Sequence, residues 1–283
     1  MPTIELPNRL YTAAQTRELD RLAGAAGLSG EELMERAGYA AFSLLVQRWP
    51  RVTNPAVLCG GGNNGGDGYV LARLARQAGL APVIYQDRPL DHLTGDALIM
   101  ARRALAAGVP MRRLALDSLP DHQPLLVDAL LGTGLSGPLR DDKKALIQAL
   151  ERLGKPVLAV DVPSGLSADS GAAGGAVLRA VCTLTFIGVN RGLLTGDGPG
   201  CTGQLLFDDL GVPARIYHHI ERPLWRPTVA DGRRWLPLRR RDAHKGHFGH
   251  VLVIGGDHGF GGAALMSAQA AARCGAGQSA ALP

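Results

Sequence analysis

Apolar positions along the chain follow two patterns, helical spacing near the start and short uninterrupted runs further on. A helical pattern after Thr12 predicts a first helix that continues to Ala26. Ser29 and Glu32 have the form of a capping box and precede a second apolar stripe. Pro50 is expected to end that second helix, because proline cannot continue the backbone hydrogen bonds.

Beyond Pro50, short runs that are apolar at every position alternate with helical segments such as Gly68 to Gln77 and Lys143 to Arg152. Strands of this kind are buried on both faces, which is typical of a parallel sheet. We therefore predict an α/β fold with a three-layer, doubly wound, Rossmann-like and mostly parallel sheet. The predicted strands are Ala56 to Cys59, Pro82 to Tyr85, Leu125 to Leu130, Val157 to Val160, Cys182 to Ile187 and Leu205 to Phe207.

The net charge of +5 is concentrated in one segment of the chain. Between Arg215 and Lys245 there are nine basic and three acidic residues, whereas the remainder has 21 basic and 22 acidic residues. The segment is rich in proline, and only 5% of the chain is aromatic, so we predict a linker and not a nucleic-acid platform. An apolar run and an Ala-rich helix then begin a second α/β pattern. We expect domains at 1–217 and 242–283, the latter an incomplete start, joined by a linker at 218–241.

The composition restricts the class of protein. A chain of 283 residues with 46% hydrophobic and 19% charged residues can bury a sizeable core. No apolar run approaches the roughly 20 residues that span a bilayer, and the first residues do not resemble a signal peptide. We therefore expect a cytoplasmic protein. The four cysteines are widely spaced and are predicted to be small buried hydrophobes.

The run from Gly60 to Gly68 follows the first predicted strand, at the sheet edge where open parallel sheets bind ligands. Its G-x-G-x-x-G spacing, with Asp87 after the next strand, is that of a dinucleotide fingerprint, so an NAD-dependent oxidoreductase is one hypothesis. Asp67, expected at the start of the next helix, would repel pyrophosphate there and suit a hydroxyl-bearing ligand. Alternatively, the run is a tight glycine turn in which Asp67 stabilises the helix start.

Two further loops carry carboxylates where apolar strands end. Asp128 precedes the glycine-rich run 132–138, and Asp161 precedes Ser164. Either acid could be a helix cap, and Ser164 could cap a turn. Alternatively, Ser164 joins Asp128 and the Asn64 amide in an all-oxygen site that suits a hard cation. Ser164 lacks the G-x-S-x-G context of a hydrolase nucleophile.

Three ordered motifs, at 62–69, 127–134 and 161–166, resemble those of the NAD(P)H-hydrate epimerases. The likeness covers about residues 10–212. The stretches 244–246 and 251–277 resemble the opening of the NAD(P)H-hydrate dehydratase domain, which has a ribokinase-like α/β fold. The chain thus resembles a bifunctional NAD(P)H-hydrate repair enzyme that stops soon after its second domain begins, and we expect no dehydratase (lyase) activity from it.

The resemblance implies an isomerase of metabolite repair that interconverts the R and S forms of NADHX or NADPHX. It implies a potassium ion held by Asn64, Asp128 and Ser164, with ADP or ATP needed only by a complete dehydratase domain. The charge distribution and the short apolar runs predict no nucleic-acid or membrane partner, and a homo-oligomer is left open. The resemblance implies that Asp161 binds the hydrate near the reacting carbon, and our hypothesis is that Asp161 is the catalytic residue, because a carboxylate can both exchange the proton and stabilise the cation. The implied substrate-binding residues are Asn63, Asn64, Gly65, Gly66, Asp67, Gly132, Thr133, Gly134, Leu135, Ser136, Gly137, Pro138 and Asp161.

One position departs from the family pattern. Asn190 stands where the family generally has lysine, so a cation is missing and activity could be reduced. Arg191 could compensate from the next position, although a guanidinium cannot exchange protons as a lysine amine can. A non-catalytic binding scaffold of the same fold therefore remains a third hypothesis.

Overall fold

The computed structural model describes residues 2–3, 5–134, 137, 139–236 and 238–282. The chain forms two compact units, Met1–Arg226 and Pro227–Pro283. None of the helices in the described ranges is long and apolar enough to cross a membrane.

The first unit is built around a parallel sheet to which, among the described residues, seven strands contribute. In chain order these strands are β2 (Ala56–Cys59), β3 (Val83–Gln86), β4 (Met111–Arg113), β5 (Leu126–Ala129), β6 (Val157–Val160), β7 (Cys182–Phe186) and β9 (Gln204–Asp208). Across the sheet they are ordered β4-β3-β2-β5-β6-β7-β9, so successive strands are added on one side of β2 as far as β4 and then on its other side from β5 onward. This arrangement confirms the predicted doubly wound sheet and identifies the gap between β2 and β5 as its switch point.

Helices cover both faces of this sheet. On one face, Leu45, Tyr69 and Met100 from three helices pack with strand residues such as Val57. On the other face, the helix after β5 packs Ile147 and its apolar neighbours against the sheet. The predicted three layers follow because central strands such as β2 and β6 are apolar on both faces, and both faces need apolar partners. The helices of this unit are α1 (Ala13–Ala25), α2 (Gly30–Arg48), α3 (Asn63–Gln77), α4 (Gly95–Ala106), α5 (Asp141–Arg152) and α6 (Gly198–Cys201).

A small second sheet joins distant parts of the first unit. Its central strand, β1 (Arg9–Tyr11), pairs in parallel with β8 (Val189–Asn190) and antiparallel with β10 (Leu224–Trp225). The second unit contains α7 (Val229–Trp235), β11 (His250–Ile254), α8 (Gly262–Cys274) and β12 (Gln278–Leu282). Strands β11 and β12 pair in parallel on either side of α8 in sequence, which makes a βαβ unit. The domain limits at 217, 218–241 and 242 stay a prediction.

The structure corrects two predictions about local structure. Helix α3 begins at Asn63 and not at Gly68, because most of the glycine-rich run is helical. Cys274 is exposed, whereas Cys59, Cys182 and Cys201 are buried as predicted.

Candidate active site

A cleft of about 850 Å³ opens at the carboxyl edge of the main sheet. The turns that follow β2, β3, β5 and β6 line it together with residues of α1 and α2. The structure thus brings the three predicted loops to one site, because β2, β5 and β6 are consecutive in the sheet.

The predicted substrate-binding residues fall into groups. Those lining the cleft are Asn63, Asn64, Asp67, Gly132, Thr133, Gly134 and Asp161. Gly65 and Gly66 are buried in α3, and neither they nor Gly137 line the cleft. Leu135, Ser136 and Pro138 lie outside the described residues.

The glycines of α3 allow this helix to approach its neighbours closely. A Cβ atom on Gly65 would lie 2.0 Å from the Gly60 carbonyl oxygen, and one on Gly66 would lie 2.2 Å from the Met34 sulfur. A Cβ on Gly68 would lie 2.8 Å from the Ala129 Cβ. Close packing on the strands and on α2 therefore explains why poor helix formers occupy the first turns of α3.

The structure also corrects the predicted position of Asp67. Because α3 begins at Asn63, Asp67 lies in the second turn, and the first turn has no acidic residue. Its carboxylate therefore does not lie at the helix start, where it was expected to repel a phosphate. Asp67 instead lines the cleft from the side of the helix.

Asp161 occupies an unusual backbone conformation directly after β6. Its φ of 68° lies in the left-handed region, which asparagine and aspartate tolerate better than most L residues. The backbone N–H of Thr133 donates to Asp161 Oδ2 at 3.0 Å. A Cβ on Gly132 would lie 2.7 Å from the same oxygen, so a larger residue at this position would displace the carboxyl. The β5 and β6 loops together hold the Asp161 carboxyl in the cleft.

Burial raises the pKa of Asp161 to about 6, although the Thr133 N–H favours the ionised form. The nearby Thr185 hydroxyl also favours the ionised form, but it lies outside the geometry of a hydrogen bond. Burial, and then the charges of Asp161 and Asp20, raise the pKa of Asp67 well above its usual value. A carboxyl cluster of this kind can retain a proton near neutral pH.

Asp20 of α1 completes the cluster at the mouth of the cleft. Burial and the Asp161 charge raise its pKa to about 6, while Arg17 opposes the rise. The side chain of Asp20 is exposed, so solvent screens these charges more at Asp20 than at the other two acids.

The predicted cation ligands meet around the backbone of one residue, Leu131. Its carbonyl accepts a hydrogen bond from Asn64 Nδ2 at 3.0 Å, and its N–H donates to Ser164 Oγ at 2.9 Å. Ser164 Oγ donates to Asp128 Oδ1 at 2.6 Å, and the Ser164 N–H donates to Asp128 Oδ2 at 2.8 Å. Asp128 is fully buried, and burial raises its pKa to about 6 despite these bonds. The three side chains therefore form one connected network.

Asn64 has an oxygen atom that the network leaves unused. The Leu131 carbonyl needs a donor, which assigns the amide nitrogen of Asn64 to that contact. Asn64 Oδ1 is then buried without a hydrogen-bond partner among the described residues. A buried unpaired oxygen is costly, and a cation would satisfy it. The oxygens of Asn64, Asp128 and Ser164 are the donor type that hard cations prefer, so this set fits potassium.

Arg191 does not supply the cation that is missing at Asn190. Arg191 Nε donates to the Asp169 carbonyl at 2.6 Å, and the residue does not line the cleft. Asn190 is fully buried, and its Nδ2 donates to Thr16 Oγ1 at 3.2 Å. In this chain, Asn190 therefore helps to fix helix α1 beside the cleft.

Sequence reasoning missed the contributions of α1 and α5 to the cleft. Arg17 and Asp20 come from α1, and Arg17 Nη1 donates to the Thr133 carbonyl at 3.2 Å. Lys143 of α5 forms an ion pair with Asp87. Charged residues on amphipathic helices are usually solvated, so the sequence pattern contained no signal for these roles.

Comparison with known proteins gives matches over most of the chain. The family model described as YjeF-related protein N-terminus matches residues 30–192. The Bifunctional NAD(P)H-hydrate repair enzyme Nnr of Coxiella burnetii is 46% identical over 95% of this chain and 55% of its own length. The enzyme of the same name from Escherichia coli is 40% identical over 97% of this chain and 53% of its own length. The chain thus spans about half the length of these two relatives.

A shorter relative and a solved structure match most of the chain over most of their own length. The NAD(P)H-hydrate epimerase of Legionella pneumophila (strain Corby) is 34% identical over 77% of this chain and 83% of its own length. The crystal structure of the yeast protein YNL200c matches with a TM-score of 0.60 at 21% identity, over 70% of this chain and 87% of that one. This likeness supports the fold. The family match over more than half of the sequence, together with the Legionella relative, shows that the chain belongs to the family of YjeF-related protein N-termini.

Proposed function

We propose that the first unit epimerises NAD(P)H hydrate, the hydrated form of the reduced nicotinamide cofactor. The observation that carries this proposal is the Asp161 carboxyl, fixed in the cleft by the Thr133 N–H and next to two further carboxyl groups. The names of the relatives in Coxiella and Legionella support the same substrate. The reaction needs a group that exchanges a proton and tolerates a positive charge, and a carboxyl group does both.

The chemistry follows from the hydrated carbon, which bears both a hydroxyl group and the ring nitrogen. The nitrogen lone pair expels the hydroxyl, which takes a proton from Asp161 and leaves as water. The resulting iminium cation faces the ionised carboxylate. Water then adds to the opposite face, and its released proton returns to the cluster of Asp20, Asp67 and Asp161. No electrons are exchanged with a second substrate, so the cofactor stays at the same oxidation level.

Potassium is proposed as the resident ion of the Asn64, Asp128 and Ser164 network. When bound, the ion supplies a fixed positive charge that offsets the buried Asp128 carboxylate. The unpaired Asn64 oxygen supports this proposal, as does the link between all three side chains through Leu131. The network in turn positions the β5 loop whose Thr133 N–H binds Asp161.

Isomerisation is the direct test of the proposed function. Separated R and S hydrates of NADH are incubated with the protein in potassium and in sodium buffer, and the epimers are resolved by chiral chromatography. We expect each epimer to approach the same mixture, faster in potassium. Conversion of the cofactor to its oxidised form would instead favour an oxidoreductase, and binding without interconversion would favour a scaffold.

Dehydratase activity is proposed to be absent from these 283 residues. In the described part of the second unit, strands β11 and β12 and helix α8 leave many apolar side chains exposed, including Val251, Leu252, Ile254, Leu265 and Met266. The matching test adds ADP or ATP to the S hydrate and follows the return of NADH. Nucleotide-dependent recovery of NADH would contradict this proposal.

A further inference from the structure

An ion pair between Asp87 and Lys143 lies in the wall of the cleft, away from the carboxyl cluster. The side chains of Asp87 and Lys143 are only 11% and 20% exposed. Asp87 follows β3, and its N–H donates to the Cys59 carbonyl at 2.9 Å, so it is fixed beside the end of β2. Lys143 comes from α5, on the opposite side of the switch point. No step of the proposed epimerisation uses this pair.

The sheet topology indicates which part of the substrate lies near this ion pair. In doubly wound sheets a dinucleotide lies across the switch point, with one nucleotide over each half of the sheet. Asp161 follows β6 and lies on one half, whereas Asp87 follows β3 and lies on the other. With the reacting ring at Asp161, the adenosine half of the substrate therefore extends toward Asp87. The acidic residue at this strand end is the one that binds the adenosine ribose in such folds.

The charges in the cleft favour the same orientation of the substrate. Asp20, Asp67 and Asp161 form an anionic end, which suits the iminium cation. Arg88 and Lys143 line the other end beside Asp87, and they suit phosphate groups. The side chain of Arg88 passes over Gly61, where an added Cβ would lie 2.7 Å from Arg88 Cδ. Arg88 is exposed and makes no hydrogen bond or ion pair with any residue in the described ranges.

We propose that Asp87, Lys143 and Arg88 form a subsite for the adenosine ribose, and that Lys143 and Arg88 bind its 2′-phosphate. An unpaired Asp87 would repel that phosphate, but Lys143 already neutralises it. Arg88 adds a free guanidinium of the kind that accommodates a 2′-phosphate in dinucleotide-binding folds. The inference rests on the proposed function and deepens it by naming the phosphorylated hydrate, NADPHX, as the preferred substrate.

The test uses two ligands that differ only in this phosphate and have no nicotinamide ring. Binding of ADP-ribose and of 2′-phospho-ADP-ribose to the full chain is measured by calorimetry. We expect the unaltered protein to bind the phosphorylated ligand about tenfold more tightly, as a charge-assisted contact would give. Arg88→Ala and Lys143→Gln should each reduce this preference to about twofold or less.

The control is Arg102→Ala, which removes an exposed arginine of α4 that does not line the cleft. This variant should keep the tenfold preference. Because Lys143→Gln leaves Asp87 without its ion-pair partner, circular dichroism must show that the variant is folded. Arg88→Ala removes an exposed side chain and keeps the test decisive if Lys143→Gln does not fold.

Equal binding of both ligands by the unaltered protein would overturn the inference, and so would a preference that survives in Arg88→Ala. The binding assay does not depend on epimerisation. A protein that prefers the phosphorylated ligand but does not interconvert the hydrates would refute the proposed function alone. A protein that interconverts them without this preference would refute only the subsite.

Discussion

The Thr133 backbone N–H lies 3.0 Å from Asp161 Oδ2 and donates a hydrogen bond to it, which connects the loop after β5 to the carboxyl after β6. The same loop includes Leu131, whose carbonyl accepts a hydrogen bond from Asn64 and whose N–H donates one to Ser164. The proposed catalytic carboxyl and the proposed cation network are therefore parts of one hydrogen-bonded structure. A change in either is expected to affect the other.

Asp161→Asn should abolish most of the epimerase activity. Asparagine tolerates the left-handed backbone at this position, and its amide oxygen still accepts the Thr133 N–H, so the fold should be kept. The amide cannot exchange a proton or balance the iminium charge. We expect kcat to fall at least about 100-fold, measured by chiral chromatography of the hydrates. Asp117→Asn, at an exposed site outside the cleft, is the control. Normal turnover in Asp161→Asn would exclude the assigned role.

The same variant should be more stable than the unaltered protein at neutral pH. The pKa of Asp161 is about 6 in the folded protein against an ordinary value of 3.8, so the folded state binds more protons between these values. Stability is therefore lost as the pH rises from about 4 to about 6. Asparagine does not titrate, so by pH 7 the variant should gain up to about 3 kcal/mol in the free energy of unfolding.

Urea denaturation of both proteins between pH 4 and pH 7 measures this difference. The two stability curves should diverge as the pH rises through the window from about 4 to about 6. Curves that stay parallel over this range would show that Asp161 is not destabilised by burial in the folded protein.

Gly132→Ala should lower activity by displacing the Asp161 carboxyl. The added Cβ would lie 2.7 Å from Asp161 Oδ2 and 3.1 Å from the Asn64 Cβ, so the carboxyl must shift. Small displacements of a reacting group are costly, and we expect kcat to fall about 10- to 100-fold. In Gly200→Ala, by contrast, the added Cβ meets no atom within 4 Å and the site lies outside the cleft. Equal kcat values in the two variants would contradict the proposed positioning.

Potassium should stabilise the protein more than sodium does, through the unpaired Asn64 oxygen. Thermal unfolding in equal concentrations of potassium and sodium chloride measures this difference. A bound ion is expected to add about 1 to 3 kcal/mol, and Asn64→Ala should remove the difference between the salts. The control Asn63→Ala removes the neighbouring amide and should keep the stability difference between the two salts. If Asn64→Ala unfolds at a higher temperature in potassium, the ion binds elsewhere.

Parts of the fold follow directly from the sequence pattern. Strands β2 and β6 have the predicted limits, Ala56–Cys59 and Val157–Val160, because every side chain in them is buried. The predicted start of α3 was wrong because glycine and asparagine have low helix propensity. The close contacts that favour the helix come from other elements of the fold, such as Met34 of α2 and Ala129 of β5. Strands β1, β8 and β10 are too short to give a pattern, and their pairing joins residues far apart in the sequence.

Some features of the candidate site could likewise be predicted from the sequence, and others could not. Strand ends could be predicted to meet because neighbouring parallel strands present their loops at one edge, which brought Asn64, Asp128 and Asp161 together. The roles of Asp20 and Lys143 could not be predicted, since they depend on how α1 and α5 lie over that edge. The left-handed backbone of Asp161 also has no local signature in the sequence.

The tight seating of α3 has a consequence for redesign of this scaffold. Gly65 and Gly66 contact a carbonyl and a methionine sulfur with no room for even a methyl group. A larger residue at Gly65 would clash with the Gly60 backbone, and one at Gly66 would clash with Met34 of α2. Any attempt to adapt the cleft to a bulkier ligand must therefore keep these two glycines and change residues elsewhere in its lining.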